Sequence, residues 1–364
     1  MVSLENKIKS EIKNNGFVTL DRFIEICLYD VESGYYIRNN PIGKRGDYIT
    51  SPEISQLFGE LLGLYIIDYW NNYIRSEFAL IELGPGKGTL MKDLLRISKE
   101  FKEFYKLINL KLVEKNKKLE LIQKKLLKVK SKDVNNIEWL EDIKNINNDN
   151  FIIIANEFFD CFPVKQFTKI NGQYYEKIVK YNEYEEKFFF DKIIIKDNIK
   201  NIVADIFKIR KFHEGDILEI SFEKDNYLKT IGNKLKCGNG LLIIIDYGDY
   251  FSKGKSTIQS FYSHKLTNFL DNPGTQDLTH KIDFSSIKKI FTDMSLKVYG
   301  PFTQKNFLES IGIEERKNQI LQNSSSDLKK DLIDGYNKII NKDEMGEIFK
   351  VLIVSTKKIN LYEK

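Results

Sequence analysis

A chain of 364 residues, 42% hydrophobic and 13% aromatic, can bury a large core, which argues against a disordered polypeptide and allows two or so domains. Its 57 basic and 52 acidic residues leave a net charge of +5 spread along the chain, so nucleic acid is not the expected partner. Cys27, Cys161 and Cys237 are odd in number and form no CxxC pair, which argues against a disulfide framework and a zinc site; no apolar run approaches the roughly 20 residues of a membrane helix.

The N-terminus "MVSLENKIKSEIKNN" has neither a signal h-region nor the Arg-rich, acid-poor character of a transit peptide. Together with the scattered thiols, this makes the cytoplasm the expected location, with no membrane insertion. Helices are predicted over residues 3–14 and 19–29, the first stopped by Gly16 and the second capped by Thr19, with Asp21 in its first turn. A loop rich in Gly, Asn and Pro follows. A further helix begins at Ser51-Pro52-Glu53, with Ser51 as N-cap and Pro52 at the first helical position. Residues 1–75 thus read as an N-terminal helical cap and residues 76–364 as the main domain.

From Phe78 onward, the short runs "FALIEL", "INLKLVE", "FIIIAN" and "GLLIIIDYG" alternate with helical patterns. They are continuously apolar, as expected of strands buried on both faces, and predict a doubly wound, Rossmann-like α/β sheet.

The first run leads into "IELGPGKGTLMKDLL", with Gly84, Gly86 and Gly88. A P-loop requires G-x-x-x-x-G-K-[ST], but the fifth residue after Gly84 is Thr89 and Lys87 is followed by Gly88. The dinucleotide fingerprint G-x-G-x-x-G fails as well, because the third glycine comes one residue early. Glu82, two residues before Gly84, would repel a pyrophosphate but attract a cationic amine. S-adenosylmethionine has such an amine and no phosphate, and the glycines would let backbone approach its tail.

A second acid is expected to bind ribose hydroxyls at the end of the next strand, and Glu114 of "LKLVEKN" has that place, though it also fits a surface acid at a helix start. In "KNKKLELIQKKLLKVKSK", Leu119, Ile122, Leu126 and Val129 recur at helical intervals, which makes the lysines the wet face of an amphipathic helix. The run "FIIIANEFFDCFPV" ends in Asn156 and Glu157, followed by Asp160. Polar groups at the carboxyl end of a strand face a ligand in open α/β sheets, although Asn156 and Glu157 would also suit a helix start.

After Pro163 the alternation breaks. "VKQFTKINGQYYEKIVKY" reads as a hairpin about Asn171-Gly172, within an insertion spanning about residues 164–215. Helices are expected near 284–293, 304–311 and 324–342, so that about 304–345 forms a C-terminal helical part. A last strand at 348–356 completes the sheet.

The segments "GKRGDYITSPEISQLFGELLG", "IELGPGKGTLMKDLLR", "IIIANEFFDCFPVKQF", "IIDYG", "NPGTQDLTHKIDFSSI" and "EMGEIFKVLIVS" follow one another as they do in MidA-type proteins. The resemblance covers about residues 30–355. It implies a class I S-adenosylmethionine-dependent methyltransferase fold and protein arginine N-methyltransferase activity, which in eukaryotic relatives of the mitochondrial matrix acts on a core subunit of respiratory complex I during assembly. It also implies that Glu82, Gly84, Gly86, Gly88, Glu114 and Asn156 bind the cofactor, with Glu157 in the motif after the strand. Where many relatives have Ala-His, this chain has His280-Lys281, and His280 reads as a satisfied surface or loop histidine.

An arginine acceptor stays protonated at physiological pH, so its charge needs carboxylates that orient it. Glu157, Asp160 and Asp47 are the expected catalytic acids, with Glu53 as a further candidate and Tyr48 or the Tyr35-Tyr36 pair available for stacking. A homodimer is compatible with the sequence. Two other readings stay open: a small-molecule methyltransferase, and a non-catalytic assembly chaperone that binds S-adenosylmethionine for stability.

Overall fold

The runs that are apolar on both faces become the centre of one twisted sheet. The computed structural model describes residues 3–38, 50–127, 136–146, 149–262, 265–322 and 326–360. Along the sheet's main path lie β1 (Phe78–Leu83), β2 (Ile108–Val113), β3 (Asn136–Leu140), β4 (Asn150–Asn156), β5 (Asn239–Asp249), β6 (Lys297–Thr303) and β7 (Phe349–Ser355). Their order is β6-β7-β5-β4-β1-β2-β3. Strands β1 to β5 run parallel, and β7 is antiparallel to both β5 and β6. The strand order therefore reverses between the neighbours β1 and β4, the kind of switch point where open α/β sheets bind ligands.

Two of these strands lie outside the sequence expectations. In β3, "NIEWL" is short and only partly buried, so it lacks the all-apolar signature of the central strands. In β6, Gly300-Pro301 interrupts the pattern at a bulge between Tyr299 and Phe302. Proline is tolerated there because β6 is an edge strand, where a missing N–H breaks no ladder.

The chain divides into two compact units, one of Ile49–Phe159, Tyr227–Tyr250 and Phe284–Lys364, the other of Met1–Tyr48, Asp160–Asn226 and Phe251–Asp283. The first contains the strands β1 to β7 and the helices Ser51–Ile54, Gln56–Tyr73 and Thr89–Ser98. Ser51 is the first helical residue and not the cap: Thr50 holds the N-cap position, and Ser55 caps the longer helix through the Leu57 N–H. Along that helix Gly59 and Gly63 allow close approach, since added Cβ atoms would lie 2.8 Å from Asp93 Cβ and 2.7 Å from Ile97 Cγ2. Leu61, Ile66, Leu80, Leu94, Ile154 and Ile353 join one core. Each such side chain contributes roughly 1.5–3 kcal/mol on burial.

The second unit is built on antiparallel strands. Val18–Thr19, Gln173–Asn182, Lys165–Ile170 and Ile217–Ile220 lie in that order, and Lys187–Ile194 pairs with Gln173–Asn182. Asn171 and Gly172, with φ of 50° and 77°, make the two-residue turn expected of Asn-Gly between the paired Ile170 and Gln173. Helices Leu4–Asn15 and Leu20–Tyr29 bury Ile8, Phe23 and Leu28 against Val164 and Val179, and helix Asp197–Arg210 sets Val203 and Phe207 on Phe167 and Leu218. His280 is buried, its Nε2 3.1 Å from the Phe162 carbonyl oxygen, and burial followed by the Lys224 charge pushes it down to about 3. Among the described residues no helix is long and apolar enough to cross a membrane.

Candidate active site

Parallel register brings the carboxyl ends of β1, β2 and β4 level, because Leu83 pairs with both Val113 and Ala155. Glu82, Glu114 and Asn156 are therefore gathered at one edge of the sheet, on either side of the β1–β4 switch point.

Glu82 is 3% exposed, and its Oε2 has no hydrogen-bond partner among the described residues. Burial, reinforced by the charge of Glu114, pushes its carboxyl up to about 8. In the next turn, Gly84, Gly86 and Gly88 all have positive φ, at 60°, 54° and 88°. At Gly84 the conformation is not the only constraint, since a Cβ would lie 2.8 Å from Phe158 Cδ2. Gly88 is the N-cap of helix Thr89–Ser98 and offers no side-chain cap, so this helix start is open toward the loop.

Glu114 lies just past β2. Its Oε1 accepts the Asn116 N–H at 2.8 Å and its Oε2 accepts Gln123 Nε2 at 3.1 Å. Burial raises its carboxyl to about 6 against these donors. Gln123 also donates to the Gly86 carbonyl oxygen at 2.7 Å and accepts Trp139 Nε1–H at 2.9 Å. The basic helix is thus more than a wet face. Gln123, four residues after Leu119, occupies a core position of that helix, and a polar residue at a core position is the one sequence signal that points to it.

At the end of β4, Asn156 donates through Nδ2 to Glu157 Oε1 at 3.2 Å, while its Oδ1 is buried without a partner among the described residues. The alternative reading of a helix start does not hold at this point, where β4 ends and Glu157 takes φ of 50°. Such a backbone costs of order 1–3 kcal/mol and persists where the surroundings impose it. Here the Glu157 N–H donates to Ile245 O at 2.8 Å, and its Oε1 accepts the Ser51 N–H at 3.2 Å. Among the described residues nothing donates to Oε2. Burial, aided by the charge of Asp246, raises this carboxyl to about 8 against the Ser51 and Asn156 donors.

Two further acids support the site. Asp246 on β5 is wholly buried and accepts the Phe159 N–H at 2.9 Å, fixing the turn after Glu157. Glu53 accepts the Thr89 hydroxyl and stands 3.6 Å from Lys87 Nζ, so it braces the glycine loop, and Lys87 has a structural ion pair. From the sequence alone Glu53 is a candidate acid for the acceptor, and nothing there pairs it with Lys87.

Asp160 falls in the other unit, where its carbonyl accepts the His280 N–H at 2.9 Å. Asp47 and Tyr48 lie outside the described residues. Tyr35 is fully buried, and Tyr36 stacks on Tyr29 at 5.6 Å while donating to Asp277 at 2.9 Å, so both serve packing in the second unit.

A family model described as "Putative S-adenosyl-L-methionine-dependent methyltransferase" matches residues 61–302. The mitochondrial protein arginine methyltransferase NDUFAF7 of Xenopus tropicalis is 32% identical over 377 residues, covering 97% of this chain and 85% of the relative. The human protein of that name is 31% identical over 360 residues, covering 93% and 80%. A solved structure from Burkholderia thailandensis, with S-adenosyl-homocysteine bound, has the same fold, with a TM-score of 0.83 at 23% identity over 99% of this chain and 93% of that one.

Proposed function

The chain belongs to this S-adenosylmethionine-dependent methyltransferase family, and from that premise we propose that it methylates an arginine side chain of a protein. The observation that carries the cofactor half is the unpartnered Oε2 of Glu82, an acid kept neutral by burial unless a cation arrives. A cationic amine fits it. Glu114 has two fixed oxygens with lone pairs left for ribose hydroxyls, and Asn156 Oδ1 is an acceptor awaiting a donor. The glycine loop leaves backbone uncovered beside them.

When bound, S-adenosylmethionine supplies a methyl carbon activated by the adjoining sulfonium charge. The chain's own task is alignment, since holding donor and acceptor close and in line provides most of the acceleration available to such a displacement. Glu157 suits the acceptor: one carboxylate oxygen is pinned by Ser51 and Asn156, and the other is open to a guanidinium N–H. A guanidinium must lose a proton as it is methylated. In this proposal Glu157 orients it and Asp160 or Asp47 takes the proton, an assignment that rests on their place in the sequence motif.

The names of the relatives support a protein substrate, and the family resemblance extends this to a respiratory complex I subunit or a similar protein, with the cytoplasm as the proposed location. The test is transfer from S-adenosylmethionine to a peptide with one arginine, read by mass spectrometry, beside the same peptide with lysine in its place. Methylated arginine only in the first peptide is expected. Equal labelling of both, or labelling of neither, would overturn the acceptor assignment.

A further inference from the structure

We infer that Gln123 is a positioning residue for ribose recognition, acting through Glu114. The inference rests on the methyltransferase reading of the site. Gln123 has no solvent exposure, and every hydrogen-bonding group of its amide is engaged: Nε2 donates to Gly86 O at 2.7 Å and to Glu114 Oε2 at 3.1 Å, while Oε1 accepts Trp139 Nε1–H at 2.9 Å. The orientation of the amide is fixed by its neighbours. An indole N–H only donates and a backbone carbonyl only accepts, so a flipped amide would face like against like on both sides.

Packing does not explain this side chain. Among the buried positions of helix Lys117–Leu127 are Leu119 and Gln123, and a leucine or methionine at 123 would fill the space without an amide to satisfy. What the amide adds is a link between three otherwise separate pieces of chain: the loop after β1, the acid after β2, and β3. Holding Gly86 O fixes the plane of the Gly86–Lys87 peptide, because a peptide unit rotates as a whole. Holding Glu114 Oε2 while Asn116 N–H holds Oε1 leaves the carboxylate a single orientation. The helix also approaches the loop closely, with Gln123 Cγ 3.4 Å from the place of a Cβ on Gly88.

Calorimetry on the full chain tests the inference, with S-adenosylhomocysteine and its 2′-deoxyribose counterpart as probes. Wild type is expected to favour the ribose form by roughly tenfold or more, the size of a hydrogen bond to a charged group. Gln123→Met should bind the ribose form roughly tenfold more weakly while losing little affinity for the deoxy form, so that discrimination collapses. Glu114→Ala should collapse it too, and the double variant should be no worse than Glu114→Ala in this ratio, as coupled residues require. Trp139→Phe keeps Gln123 in place but removes one restraint, and should give an intermediate ratio even if Gln123→Met fails to fold. A merely structural role would lower affinity for both probes alike, and that result, or multiplicative effects in the double variant, overturns the inference. Wild type binding neither probe would instead overturn the methyltransferase reading, and the inference with it.

Discussion

Replacing Glu82 with glutamine should stabilise the ligand-free protein at alkaline pH while abolishing cofactor binding. The carboxyl, 3% exposed, is raised from 4.5 to about 8. Between those values the folded state keeps a proton that the unfolded state has released, so wild-type stability falls as pH rises from about 4.5 and the fall levels off above about 8. At 1.36 kcal/mol for each tenfold change, the full effect is ~5 kcal/mol. Glutamine has nearly the same shape and no proton to lose, so the variant should match wild type near pH 4.5 and exceed it by several kcal/mol at pH 9. Urea unfolding at steps of pH measures this, with constant m-values as the check that the unfolded state is unchanged. Saturating S-adenosylhomocysteine should stabilise wild type and leave the variant where it was. Parallel stability curves for the two proteins across this range would refute the account of Glu82.

Three other outcomes follow from the same geometry. Gly84→Ala meets both a φ of 60° and Phe158 Cδ2 at 2.8 Å, so it should lose ~1–3 kcal/mol of stability together with cofactor affinity; wild-type behaviour in denaturation and calorimetry would contradict this. Glu157→Gln should keep S-adenosylhomocysteine affinity while cutting transfer to arginine by about 100-fold or more in a single-turnover assay, whereas unchanged transfer would remove Glu157 from the reaction. Thr89→Val removes the hydroxyl that donates to Glu53, and should raise KM for the cofactor several-fold with little change in kcat; a fall in kcat alone would assign Glu53 to the acceptor instead.

Much of this site is legible in the sequence because its chemistry is local. Glu82 and the three glycines lie within seven consecutive residues, and a strand followed by a helix dictates where they point. The strands β1, β4 and β5 carry continuous apolar runs, so their burial is written in each, whereas β2 sets Asn109 and Lys111 between its apolar residues and is buried all the same. What escapes is what depends on distant partners. Gln123 becomes informative only when Gly86, Glu114 and Trp139 surround it, and Trp139 lies on a strand whose residues are half-buried and carry no periodic signal. Glu53 reads as a helix-start acid until Thr89 is beside it, 36 positions later in the chain. The strand β6 is hidden by Gly300-Pro301, a pair that ordinarily marks a turn. The left-handed backbone of Glu157 has no sequence signature, since glutamate there resembles the first turn of a helix.

Glu82, Glu114 and Glu157 all have raised carboxyls, and among the described residues none is paired with a lysine or arginine side chain. A protein under selection for stability alone would have no reason to keep three acids there, since apolar or amide side chains of similar volume avoid the desolvation penalty. The arrangement makes sense if positive or proton-donating groups arrive from outside. An amine facing Glu82 and a guanidinium facing Glu157 would each draw a proton off its acid, so binding at pH 7 should release protons in both steps, in contrast to a site whose carboxylates are already ionised. A pyrophosphate would do the opposite: its negative charge would keep these acids protonated and release no proton. The spacing of the glycines argues against a dinucleotide by counting residues along the chain, and the proton release expected on binding a cation tests the same choice through the side chains around the loop.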